Sequence, residues 1–161
     1  MYLETIDLLY SVPDFDFKGT TDMLIFKSII PPIRWQTIRS ISISTLLLAP
    51  PEYFHRRLYF HGPPEDWDKW IEGCKALADL PNLRKIHLDI TMLHKCDYGF
   101  ERRSHVDDDS FLRLLLPLKD IRASNFTVEL NWALRETVMD ALGPVKFEVK
   151  LSSKLHDHYF E

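Results

Sequence analysis

The chain has 161 residues, 45% of them hydrophobic and 27% charged, which supports one folded domain with a real core and excludes two ordinary domains or extensive disorder. A net charge of −4 excludes a general electrostatic grip on nucleic acid or acidic lipid, although a local basic patch remains compatible with it. The two cysteines, Cys74 on an apolar helix face and Cys96 in a polar loop, do not read as a disulfide scaffold.

From the N-terminus, MYLETIDLLYS carries acids where a secretion signal carries basic residues. Its Leu3, Ile6, Leu9 and Tyr10 recur at helical spacing over residues 2–10, and Pro13 ends the pattern. A turn is expected next, with Phe15 and Phe17 alternating against Asp14 and Asp16. Thr21 or Asp22 caps a second helix bearing Met23, Leu24, Phe26, Lys27 and Ile30, which Pro31-Pro32 stop. Residues 38–44, IRSISIS, set Ile41 and Ile43 against serines, the alternation of a half-buried strand. After a long loop, PPEDWDKWIEGCKALADL gives the clearest helix. Glu65 and Asp66 suit its first turn, and Trp67, Trp70, Ile71, Cys74, Leu77 and Ala78 line one face. Such a stripe makes both tryptophans core residues before partner contacts. Strand 83–90 follows, with Ile86, Leu88 and Ile90 on one side. Asp107–Asp109 then open a helix through Leu118, followed by strand 126–132, a helix over 133–142 ended by Gly143-Pro144, and strand 145–151.

Helices alternating with strands predict an α/β fold with a largely parallel sheet and right-handed crossovers. Ile41 and Ile43 return 45 residues later as Ile86 and Leu88, each pair preceded by a helix and a proline. The expected architecture is therefore one α/β domain over residues 1–161, with a single layer of about four mainly parallel strands, degenerate and leucine-rich-repeat-like. Helices cover one face and the other is partly open, with loop insertions at 49–64 and 91–106 and a tail at 152–161. The apolar clusters at Leu46–Leu48 and Leu114–Leu116 are too short to span a bilayer, so a soluble intracellular protein is expected.

Three stretches, ETIDLLYSVPDFDF, SIIPPIRWQTIRSISIS and ALADLPNLRKIHLDI, together resemble a large family of uncharacterised fungal proteins that carry a domain of unknown function. In that family the domain often stands beside an F-box-like N-terminal segment. The F-box-like start is absent here, so the chain resembles the later part of such a protein. The resemblance implies no activity that can be carried to particular residues.

Two groups of residues invite a functional reading. Loops 49–64 and 91–106 leave the carboxyl ends of successive strands, where ligands of open parallel sheets sit. They bring Arg56, Arg57, Tyr59 and His61 near Tyr98, Arg102 and Arg103. Guanidinium forks bind carboxylate or phosphate and rings add rigid apolar area, which is recognition chemistry. The second group lies on the open sheet face: Ser42 beside His87, Ser44 beside Asp89, then Thr127, Glu129 and Glu148. A serine, a histidine and an aspartate on one face suggest a hydrolase. His87 and Asp89 are two apart on one strand, however, about 7 Å from each other, and there is no nucleophile elbow or glycine-rich oxyanion loop.

Neither His94 with Cys96 nor His156 with His158 repeats a metal-ligand spacing, so no metal or other cofactor is expected. The five scattered glycines exclude a nucleotide cradle. The sequence thus points to a non-enzymatic module that binds another protein through the open face and the two loops. A small hydrolase in the cleft between the loops is the alternative. Nucleic acid and membrane are not expected partners, and the last strand offers a route to a homo-oligomer.

Overall fold

The computed structural model describes residues 8–49, 66–94 and 107–152. In chain order it contains β1 (Phe15–Phe17), α1 (Thr20–Ile29), α2 (Pro32–Trp35), β2 (Ser40–Ala49), α3 (Trp67–Ala78) and β3 (Lys85–His94). There follow α4 (Asp108–Leu115), a 3-10 turn (Leu116–Asp120), β4 (Asn125–Leu130), α5 (Glu136–Leu142) and β5 (Glu148–Leu151). The five strands form one parallel sheet in the order β1-β2-β3-β4-β5. The expected α/β fold with helical crossovers is present, with five strands rather than four and every pairing parallel.

The extra strand is the stretch expected to be a turn. Phe15 and Phe17 pair with Ile41 and Ile43 of β2, and their rings approach Phe26 of α1 at centroid distances of 5.4 and 5.5 Å. Three residues are too few for periodicity to announce a strand; aromatic burial against α1 fixes this one. Gly19 then turns the chain into α1 at φ 98°, a conformation that side chains rarely adopt.

Alternation along β2 and β3 decides the core. Ile41, Ile43 and Leu47, with Ile86, Leu88, Ile90 and Met92, are fully buried together with Trp70, Cys74 and Leu77 of α3 and Leu114 and Leu115 of α4. Trp70 is a core residue, as the helical stripe predicts; its indole N–H donates to the Leu114 carbonyl at 3.1 Å and ties α3 to α4. Trp67 packs half-buried against the same cluster. A right-handed crossover moves the chain one strand along each time, so the helices stack on one side and, among the described residues, no helix covers the opposite face.

Element ends differ from the sequence pattern in both directions: β2 runs on to Ala49, whereas β4 stops at Leu130, α5 starts at Glu136 and β5 at Glu148. β3 runs to His94, so residues 91–94 are strand rather than the start of a loop. Past the last residue of β4, the Asn131 side chain continues the ladder: its Oδ1 accepts from the Met92 N–H at 2.9 Å and its Nδ2 donates to the Met92 carbonyl at 3.0 Å. The Ser152 N–H likewise donates to the Leu130 carbonyl at 2.7 Å, so the first residue assigned to the tail still belongs to the sheet's hydrogen bonding. Side-chain caps start α3 and α4, whereas α1 begins after Gly19 with no side-chain cap bond, rather than on the Thr21 or Asp22 cap that the sequence suggests. Asp66 accepts from the Asp68 N–H at 2.8 Å, and Asp107 from the Ser110 N–H at 2.6 Å.

Candidate functional site

The register places the polar side chains in rows across the open face. Parallel pairing aligns Asp16, Ser42, His87, Thr127 and Glu148 in one row and Ser44, Asp89, Glu129 and Lys150 in the next. Ser42 therefore does stand beside His87 and Ser44 beside Asp89, on the face opposite the buried isoleucines. One row earlier, Ser40, Lys85 and Asn125 are paired.

A shallow cavity of about 730 Å³, open to solvent, covers the amino-terminal half of this face. Asp14, Ser40, Ser42, Lys85, His87 and Thr127 are among its walls, with Lys146 and Glu148 beyond them. Asp14 anchors one side. The Ser40 hydroxyl and then the Lys85 ammonium, which donates to Asp14 Oδ2 at 3.0 Å, hold the Asp14 carboxyl below its ordinary value. Both partners of the Asp14–Lys85 ion pair are more than half exposed, so solvent screens it. At the other side Lys150 reaches Glu148 at 3.1 Å.

Exposure falls along the face toward the carboxyl ends of the strands. On β3, Lys85 is exposed and His87 half-buried, whereas Asp89 and Thr91 are 7% and 8% exposed. On β2, Ser42 and Ser44 are half-buried and Leu46 is buried. The open part of the polar face is thus its amino-terminal half.

Of the residues singled out from the sequence, Ser42 and His87 lie in the cavity wall, while Asp89 and Glu129 lie in the next row and outside it. Arg56, Arg57, Tyr59, His61, Tyr98, Arg102 and Arg103 lie outside the described residues, and so does the cleft between their loops. Asp14, Lys85, Lys146 and Ser124 belong to the cavity and were not singled out. Lys85 could have been found, because it stands two before His87 on the same strand face. Asp14 could not be placed while Phe15–Phe17 passed for a turn.

The side chains of Ser42, His87 and Thr127 make no hydrogen bond to another described residue. A nucleophile–base pair needs a serine oxygen within about 3 Å of an oriented imidazole, and no such bond links Ser42 to His87. No cluster of three or more His, Cys, Asp or Glu side chains among the described residues is placed to hold a metal ion. No helix there is long and apolar enough to cross a membrane.

Comparison with known proteins adds a family. A family model described as Domain of unknown function (DUF7730) matches residues 1–151. The chain belongs to this family. The matched span of the DUF7730 domain takes in all five strands and every wall of the cavity. No curated protein and no solved structure matches the chain.

Proposed function

We propose that this DUF7730 domain is a non-enzymatic interaction module that receives another protein on the open polar face of its sheet. One observation carries the reading: Ser42, His87 and Thr127 stand side by side in a solvent-open depression, with no side-chain hydrogen bond to another described residue. Polar groups left free on a rigid sheet cost nothing in water and become directional contacts when a partner excludes that water. The rim charges of Asp14, Lys85 and Lys146 would set orientation and encounter rate rather than affinity.

In this reading the sheet is a degenerate leucine-rich-repeat-like array with its open side used for binding. Arg56, Arg57, Arg102 and Arg103, with Tyr59, His61 and Tyr98, would frame its carboxyl end, and Asp89 and Glu129 would link that rim to the open half. The resemblance to fungal proteins with an F-box-like segment makes the interior of a fungal cell the expected setting.

The test is retention of proteins from a fungal lysate by the wild-type chain and by a Ser42→Arg, Thr127→Arg double variant whose circular dichroism and melting match wild type. A protein held by wild type and lost from the double variant supports the reading. Equal retention by both, or none by either, overturns it, and turnover of ester substrates abolished by Ser42→Ala would replace it with a hydrolase.

A further inference from the structure

The outer edge of β5 carries an inference that is independent of the open-face reading. Among the described residues β5 pairs with β4 alone, in a register from Thr127 opposite Glu148 to Leu130 opposite Leu151. The Ser152 N–H points to the Leu130 carbonyl. Backbone groups of successive strand residues point alternately to either side, so Glu148 and Lys150 also turn theirs toward β4. Val149 and Leu151 turn theirs outward, to an edge that no other described strand pairs with. Side chains alternate as well, which puts Glu148 and Lys150 together on the open face and Val149 and Leu151 on the helix side. Leu151 is 64% exposed there, next to the half-buried Val149.

We propose that β5 pairs antiparallel with β5 of a second copy of this chain, about a two-fold axis through Val149, so that two five-stranded sheets become one. On this axis Val149 faces its own counterpart, and the outward N–H and C=O groups of the two copies exchange hydrogen bonds. Glu148 of each copy then lies opposite Lys150 of the other. Those are the non-hydrogen-bonded positions of an antiparallel pair, where opposed side chains come closest and opposite charges stabilise. Leu151 meets Phe147 of the other copy on the helix side, which covers its exposed surface.

The sequence of the edge selects this axis. A two-fold pairing joins a strand to itself, so its charges must change sign about the centre, and Glu-Val-Lys does so about Val149. An axis through Glu148 would set glutamate on glutamate, and one through Lys150 lysine on lysine.

The experiment is sedimentation velocity of the full chain from low micromolar to several hundred micromolar. A concentration-dependent dimer is expected for wild type. Lys150→Glu should weaken it about tenfold or more, since both cross-strand pairs become repulsive. Glu148→Lys combined with Lys150→Glu should restore it, because both pairs re-form with their signs exchanged. Val149→Pro removes an outward N–H that the β4 ladder does not use, and should give a monomer with the wild-type circular dichroism spectrum. A wild-type monomer at every concentration overturns the proposal. So does a dimer that persists in Val149→Pro or in Lys150→Glu, or one that the exchanged pair fails to restore.

Discussion

Asn131 does with a side chain what the backbone of β4 can no longer do. Its amide offers one acceptor and one donor to the backbone of Met92, a residue with no exposed surface. Asn131→Ala leaves the Met92 N–H without that partner, whereas the Met92 carbonyl keeps the indole N–H of Trp132 at 2.9 Å. An unsatisfied buried donor costs about 1–3 kcal/mol, so urea unfolding of Asn131→Ala should show a loss in that range with an unchanged m-value. Asp14 contributes differently. Ser40 and Lys85 depress its carboxyl in the folded chain, so its stabilising contribution is complete above the unfolded carboxylate value and is lost as pH falls through the lower, folded one. Asp14→Asn should therefore be less stable than wild type at neutral pH, with the gap fading below about pH 4. A gap that widens in acid would contradict the contacts described. Ser42 and His87 were legible from alternation alone, because period-two patterning fixes a face. Asp14, Asn131 and Ser124 were not, because each acts from just outside a strand, where periodicity carries no information.

Helices were the more legible elements. The stripe of α3 predicts most of its buried side: Trp70, Cys74 and Leu77 are buried and Trp67 and Ala78 half-buried, whereas Ile71, expected on the same face, is exposed. Strands were legible in their centres and not at their ends. β1 was missed because Phe-Asp-Phe has no length, and the last four residues of β3 were missed because Thr91-Met92-Leu93-His94 lacks a clean polar alternation. Pairing with β2 along its whole length decides that end. The contact between α1 and α3 is a closer constraint than either helix shows alone. Gly73 is buried against Thr20, whose hydroxyl donates to the Lys69 carbonyl at 3.1 Å. A Cβ at position 73 would lie 2.5 Å from Thr20 Cβ and 2.7 Å from its Cγ2. Those atoms sit next to the backbone and cannot swing away, so the two helices must part. Gly73→Ala favours the isolated helix by about 1 kcal/mol, yet overpacking costs about 1–3 kcal/mol. Thermal unfolding should show a lower Tm, and a raised Tm would mean that the α1–α3 spacing is looser than described.

At the scale of the molecule, the α/β class followed from the alternation of patterns, and parallel pairing from helices long enough to cross over. The open polar face followed from the serines of β2. Its concavity did not, since it depends on which half of the face is closed, and no local pattern in Lys85-Ile86-His87-Leu88-Asp89 says that Asp89 is buried while Lys85 is exposed. Strand order has a further consequence for how the fold comes apart. Because chain order and spatial order coincide, each strand pairs with its immediate predecessor and successor, and among the described residues no segment closes the sheet by returning across it. Such an array frays from its margins, with an opening free energy that rises toward the middle. Amide hydrogen exchange should accordingly be slowest in β3, intermediate in β2 and β4, and fastest in β1 and β5. Uniform exchange across all five strands would mean a single all-or-none unit. A graded profile means instead that losing β5 trims the domain by one rung and leaves the ladder between β2 and β3 standing.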